Sequence, residues 1–130
     1  MNVYVFCAAI LVLVYFLLAC HVSLTRGRMK VNIGSGDQPS GPLNKSIRAH
    51  GNAAEYIPLF VALFLYFGAV GARGWIEWAV IVVTVSRILH PLGMFLSPDL
   101  RRPQVCRALG ALGTYAGGLA LGVAMLMRAW

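Results

Sequence analysis

The chain has 130 residues, 59% of them hydrophobic and 12% charged, with a formal net charge of +7. Soluble domains run about 45–50% apolar with glycine counted and about 25% charged. That excludes a soluble fold and indicates an integral membrane protein, and the length allows one domain, 1–130. The positive charge does not point to nucleic acid, because the basic residues lie in short joints between apolar runs, where they set topology.

The first apolar run covers residues 3–24 and is long enough to span a bilayer. Leu17-Leu18-Ala19-Cys20 faintly resembles a lipoprotein cleavage box. No Lys or Arg precedes the run, however, and a signal peptide needs a basic start and a shorter apolar core. A retained helix is expected, with Cys7 and Cys20 as small apolar fillers and His21 as an interfacial imidazole. The polar joint 25–46 follows, carrying Arg26, Arg28, Lys30 and Lys45 around the glycine- and proline-bearing stretch 34–42. It has neither helical nor strand periodicity and reads as a loop over the membrane surface.

The second helix is expected from about 43 or 46 to 72. It opens with Arg48-Ala49-His50-Gly51-Asn52-Ala53-Ala54-Glu55-Tyr56 and turns apolar from Ile57 onward. Arg48, Asn52 and Glu55 stand at i, i+4 and i+7 and share one face of a helix. Ionisable groups at membrane depth are costly unless they pair or face a polar cavity, so that face is a candidate site. Pro58 has no amide to donate to the Ala54 carbonyl, which predicts a kink just inside the polar face.

After the turn 71–74 the third helix covers 75–96, with Trp75 and Trp78 as an interfacial belt. Near its far end it carries Arg87 and His90 on one face, followed by Pro91. The turn 97–103 leads to a fourth helix over 104–126. There Gly113 with Gly117, and Gly118 with Gly122, repeat small residues at the spacing that lets backbones approach closely in lipid.

Four spans put the two longer joints on one side, with Arg26, Arg28, Lys30, Lys45, Arg101, Arg102 and Arg107. Arg73 and Arg128 alone mark the other side. The positive-inside rule then places both termini outside and both basic joints in the cytoplasm, in the inner membrane if the cell is bacterial. Arg48, Asn52 and Glu55 enter the bundle from that cytoplasmic end, and Arg87 and His90 leave helix three at it. A polar pocket at the cytoplasmic mouth is the expectation.

A site lined by Arg48, Arg87 and an arginine from 101–102 suits an anion, because guanidinium forks match carboxylates and stay charged. Glu55 would either pair with an arginine or grip a ligand ammonium, and Asn52 can donate and accept. Together they fit a small zwitterion with several carboxylates. The plainer alternative is an arginine–glutamate pair that only locks helices together. No metal site is expected, since three scattered cysteines and three separated histidines make no ligand cluster. Cys106, between Arg102 and Arg107, has surroundings that would favour a thiolate, although a packed, inert thiol is the better reading.

The stretch from Arg48 to Phe60 resembles the second-helix signature of the MAPEG family, the membrane-associated proteins in eicosanoid and glutathione metabolism. The likeness extends to Arg87 and His90 and to Leu100-Arg101-Arg102-Pro103, and so covers most of the chain. It implies an all-α, four-transmembrane-helix bundle assembled as a homotrimer, with glutathione as cosubstrate held between neighbouring subunits. Carried over by position, Arg48, Asn52, Glu55 and Tyr56 match glutathione-contacting residues, and Arg87 and His90 match polar positions on helix three. The resemblance also brings in an arginine from the end of helix one, for which Arg26 or Arg28 is the candidate. The thiolate-stabilising arginine falls near the start of helix four, with Arg101 first choice over Arg102 and Arg107. One departure stands out: leukotriene- and prostaglandin-forming members carry a tyrosine where this chain has Met94.

The resemblance therefore implies a glutathione-binding membrane protein with glutathione S-transferase or peroxidase activity on lipophilic electrophiles or hydroperoxides that arrive through the lipid. The alternative is a non-catalytic lipid- or partner-binding scaffold on the same fold. A small four-helix exporter would place its essential acid in the first helix, which here has none.

Overall fold

The computed structural model describes residues 2–36 and 38–129. It contains four long helices: α1 (Val3–Met29), α2 (Pro42–Ala69), α3 (Trp75–Leu96) and α4 (Val105–Leu126). Each is long and apolar enough to cross a membrane. The described residues include no strand.

The end of α1 and both ends of α2 differ from the sequence expectation, for reasons of capping and turning. α1 continues past residue 24 to Met29, so Arg26 and Arg28 lie in its last turn and not in a loop. Cations there complement the helix dipole. Lys30 then adopts the left-handed conformation (φ 54°, ψ 35°), and its amide donates back to the Arg26 and Gly27 carbonyls. α2 starts early because Pro42 occupies its first turn, where a fixed φ and a missing amide cost nothing. It ends at Ala69, where Gly71 at φ 63° turns the chain. Pro58 and Pro91 lie inside α2 and α3 without ending either.

α1 packs against α2, α3 packs against α4, and α3 touches both members of the first pair. The α3–α4 contact is close because glycines line it. A Cβ at Gly110 would stand 2.7 Å from the His90 amide nitrogen and 2.8 Å from the Ser86 carbonyl oxygen, while Gly113 and Gly117 press on Ser86 and Val83. Gly118 faces Phe60 of α2, and Gly122 faces open space. Gly113 and Gly117, with Gly110, thus form a docking face for α3, as close backbone approach requires, whereas Gly118 and Gly122 do not. Phe60, Phe64, Phe67, Val80, Val83 and Leu121 form the sealed core. Leu13, Phe16, Leu17, Trp78 and Leu119 are exposed, an apolar exterior that suits lipid.

Hydrogen bonds stitch the two basic joints together at one end. The Ser40 hydroxyl donates to Asp99 Oδ1 (2.7 Å) and accepts from the Leu100 amide (3.0 Å). Lys45 Nζ donates to the Ser97 carbonyl (2.6 Å). At the opposite end the Tyr4 hydroxyl donates to the Ala72 carbonyl (2.8 Å) and ties the start of α1 to the α2–α3 turn.

Candidate functional site

Arg87 is the centre of the polar cluster. It comes from the third turn before the end of α3 and is 1% exposed, among the largest side chains fully inside the protein. Its Nη2 donates to Asn52 Oδ1 at 2.6 Å and to the Asn52 carbonyl at 3.3 Å, and its Nη1 donates to Thr114 Oγ1 at 3.4 Å. Its Cζ lies 5.0 Å from the Tyr56 ring centroid, within cation–π range. Nε has no hydrogen-bond partner. All of these partners are neutral, so a buried guanidinium is solvated by an amide, a hydroxyl and an aromatic face with no carboxylate bonded to it. Such a group attracts an anion.

The local sequence explains the geometry. Asn52 and Tyr56 are one turn apart on α2, so they present an acceptor and a ring to the same point. Thr114 can approach because Gly110, Gly113 and Gly117 on its helix leave no side chains in the way. Its hydroxyl donates to the Gly110 carbonyl at 2.6 Å, which leaves its lone pairs for Arg87. Tyr115, next along, stacks beside Tyr56 with ring centroids 6.1 Å apart.

The other sequence-derived candidates separate into two groups. Arg48 and Glu55 lie on the outer surface of α2, both exposed. Two helical turns, about 10 Å of rise, lie between them, and among the described residues no ion pair joins them. Nor, among the described residues, does an ion pair join Glu55 to Arg87, whose bonded partners are Asn52 and Thr114, so an arginine–glutamate pair locking α2 to α3 is not what the fold contains. His50, from the same motif, stacks edge-on against Tyr15 of α1 at 5.1 Å.

Arg26 does not reach the cluster. Its Nη1 donates to the Gly34 carbonyl at 2.9 Å and, at 3.4 Å, to those of Val31 and Asn32, folding the joint back over the end of α1. Arg28 is exposed. His90 is buried, with Nδ1 3.2 Å from the Arg107 carbonyl; that oxygen can only accept, so Nδ1 carries the proton. Arg107 is committed to the α3–α4 turn through the carbonyls of Leu100 (2.9 Å) and Arg102 (3.0 Å). Arg101 and Arg102 are exposed, and Arg101 shares with His90 and Arg107 the wall of an open cavity of about 380 Å³. Asp99 accepts from the Arg101 amide (3.0 Å), and this bond together with the Ser40 hydroxyl holds its carboxyl below the usual carboxylate range.

The structure thus brings together Asn52, Tyr56 and Arg87, and separately His90 and Arg101. It leaves Arg48 and Glu55 facing outward. Thr114 is the member of the cluster that the sequence did not suggest. Its one signal was a lone hydroxyl on the glycine face of α4. Among the cysteines, Cys7 is buried as a filler, whereas Cys20 is exposed on the lipid side of α1 and fills nothing. Cys106 is half-buried.

Comparison with known proteins adds ancestry to this geometry. A family model, described as the MAPEG family, matches residues 4–127. The inner membrane protein YecN of Escherichia coli K12 is 37% identical over 71 residues, which is 54% of this chain and 54% of that protein. The protein of the same name from Escherichia coli O6:H1 strain CFT073 matches with the same figures. The match spans about half the length of these curated relatives. No solved structure gives a significant match.

Proposed function

The chain belongs to the MAPEG family, and on that premise we propose that it binds glutathione and couples it to lipophilic electrophiles, or uses it to reduce lipophilic hydroperoxides. The observation that carries the reading is Arg87, a buried cation whose partners among the described residues are all neutral. Its uncompensated charge would favour a ligand carboxylate bound against α2 through the field rather than by contact, because the guanidinium is 1% exposed. Asn52 and Tyr56 orient that guanidinium, and Arg48 and Glu55 on the outer face of α2 would take a second carboxylate and the ammonium of the tripeptide.

Exposed charges on a membrane helix need cover, so in this reading the site lies between copies of the chain in a homotrimer, with the basic joints in the cytoplasm of a bacterial inner membrane. Arg101, on the wall of the open cavity beside His90, would favour the thiolate by charge. More thiolate at neutral pH means more nucleophile, which is the main help such a site gives. The thiolate sulfur forms the new bond to the electrophilic carbon, and the leaving group departs with its electron pair. His90 supports the wall, and Arg26 shapes the joint above it.

Met94 favours a second reading. It is buried, and a thioether donates no hydrogen bond where relatives carry a phenol, so a binding protein without turnover has a structural basis. Calorimetric titration of glutathione into the purified protein, followed by a turnover assay with a generic electrophile, tests both. Binding with turnover supports a transferase, and binding alone supports the scaffold. If glutathione does not bind, both glutathione readings fail. Arg48→Gln and Glu55→Gln should each weaken binding by about 1.5–3 kcal/mol, the range for a charged hydrogen bond.

A further inference from the structure

We infer that the end of the bundle opposite the basic joints carries a binding site for a phosphoethanolamine lipid headgroup, formed by Arg73 and Glu77 across a cleft under the start of α1. The cleft, about 270 Å³, is lined by Asn2, Val3, Tyr4, Gly68, Gly71, Ala72, Arg73 and Glu77. It shares no residue with the Arg87 cluster or with the Arg101 cavity.

Three observations point to the ligand's chemistry. First, the cleft holds one cation and one anion that are not joined to each other. Arg73 is exposed and Glu77 half-buried, and among the described residues neither has an ionic partner. A groove that keeps opposite charges apart suits a zwitterion whose own charges are a few bonds apart. Second, Gly74 at the N-cap of α3 has no side chain to cap it; the Glu77 amide is taken by the Gly74 carbonyl (3.1 Å), which leaves the Trp75 and Ile76 amides beside Arg73 to receive a phosphate oxygen. Third, the cleft lies at headgroup depth. Trp75 and Trp78 are 55% and 69% exposed on the adjoining turn of α3, as interfacial tryptophans are. Val5, Phe6 and Val70, all about half exposed, offer apolar surface for the acyl chains.

The walls are fixed in advance. The Tyr4 hydroxyl holds the Ala72 carbonyl at 2.8 Å, and Gly68 makes room for the Tyr4 ring, since a Cβ there would stand 3.0 Å from Tyr4 Cβ. Phosphate would lie at Arg73 and the α3 amides, and the primary ammonium would donate to the Glu77 carboxylate. That donation separates ethanolamine from choline lipids, because a trimethylammonium has no N–H, and from glycerol lipids, which have no cation.

The test uses the full-length protein in mild detergent, supplied in turn with phosphatidylethanolamine, phosphatidylcholine and phosphatidylglycerol of matched acyl chains. Retained lipid is read by native mass spectrometry and protection by thermal melting. Ethanolamine lipid should be retained roughly two- to fivefold over choline lipid, the ratio that a partly exposed charge pair supplies. Glu77→Leu, which leaves no acceptor for the ammonium, should erase that preference, and Arg73→Gln should lower retention of all three lipids. Equal retention of ethanolamine and choline lipids by the wild-type protein would overturn the proposal without any variant having to fold. So would an undiminished preference in Glu77→Leu. Glycerophosphoethanolamine, which lacks acyl chains, should give no protection; protection equal to the lipid's would make the ligand a soluble one and overturn the lipid assignment. Glutathione binding is untouched by any of these outcomes.

Discussion

Removing the Asn52 side chain tests whether neutral groups hold the buried charge. In Asn52→Ala, Arg87 loses its 2.6 Å acceptor and keeps the Asn52 carbonyl at 3.3 Å and Thr114 Oγ1 at 3.4 Å, both long. At 1% exposure no water reaches the guanidinium to compensate. A hydrogen bond to a charged group contributes about 1.5–3 kcal/mol, and stranding a buried charge costs about 3–5 kcal/mol, so a loss near 3 kcal/mol is expected. Thr114→Val, which removes a longer bond, should cost below about 1.5 kcal/mol. Arg87→Met with Asn52→Leu should recover most of the loss, because apolar pairs of similar volume often replace buried polar pairs without penalty. Reversible unfolding in mixed micelles, on Arg87→Met, Asn52→Leu and the double variant, closes the cycle and gives the coupling energy. An Asn52→Ala protein within about 0.5 kcal/mol of wild type, or strict additivity in the double variant, would refute the claim that Asn52 solvates Arg87.

Gly110→Ala should destabilise by about 1–3 kcal/mol, because the added methyl meets backbone atoms of His90 and Ser86 that cannot step aside, whereas Gly122→Ala, facing open space, should be near neutral in the same unfolding assay. Met94→Tyr restores a hydrogen-bond donor and should raise the transferase rate without tightening glutathione binding; no gain in steady-state assays would mean that Arg101 or another group carries activation. The Asp99 carboxyl is held below its ordinary 3.8 by the Arg101 amide and the Ser40 hydroxyl. Its contribution is therefore present above that ordinary value and is lost as the pH falls through the lower folded one. Protection of the Leu100 and Arg101 amides, measured against their intrinsic exchange rates, should fall in that acid window in the wild-type protein, and Asp99→Ala should already lack that protection at neutral pH.

Much of the fold could be read from the chain, because lipid demands long apolar runs with punctuation between them. α3 lies at 75–96 as expected, bounded by Gly74 before it and by Ser97-Pro98 after it. The end of α1 was less legible: Arg26 and Arg28 look like loop residues by polarity, yet they serve as the last helical turn because a cation there meets free carbonyls. Within the site, the sequence flags Asn52 and Arg87 separately, 35 positions apart, but only the packing of α2 on α3 shows that one holds the other. Periodicity shows which residues share a helix face; it does not show which faces meet. The fates of Arg26 and Arg107 escape it for another reason. A guanidinium satisfied by backbone carbonyls looks, in sequence, like one waiting for a ligand.

Helix length decides where the outward charges sit. α3, at 22 residues, measures about 33 Å, close to the hydrocarbon thickness of about 30 Å, whereas the 27 and 28 residues of α1 and α2 give about 40 Å. The surplus of about 10 Å belongs to the end with the basic joints, since the opposite ends are tied together by Tyr4 and Ala72. Arg48 then lies near the membrane surface and Glu55 about 10 Å deeper, on an exposed face of α2 that continues into Leu59, 61% exposed. A carboxylate at that depth cannot face acyl chains, so another protein surface must cover it, and a second copy of the chain is the simplest cover. In a background with Cys7, Cys20 and Cys106 replaced by alanine, Leu59→Cys should therefore crosslink copies in native membranes. Trp78→Cys, equally exposed but on the tryptophan-bearing face of α3, should not. If Leu59→Cys stays monomeric while Trp78→Cys crosslinks, the subunits meet through α3, and Arg48 and Glu55 cannot belong to a site shared between copies.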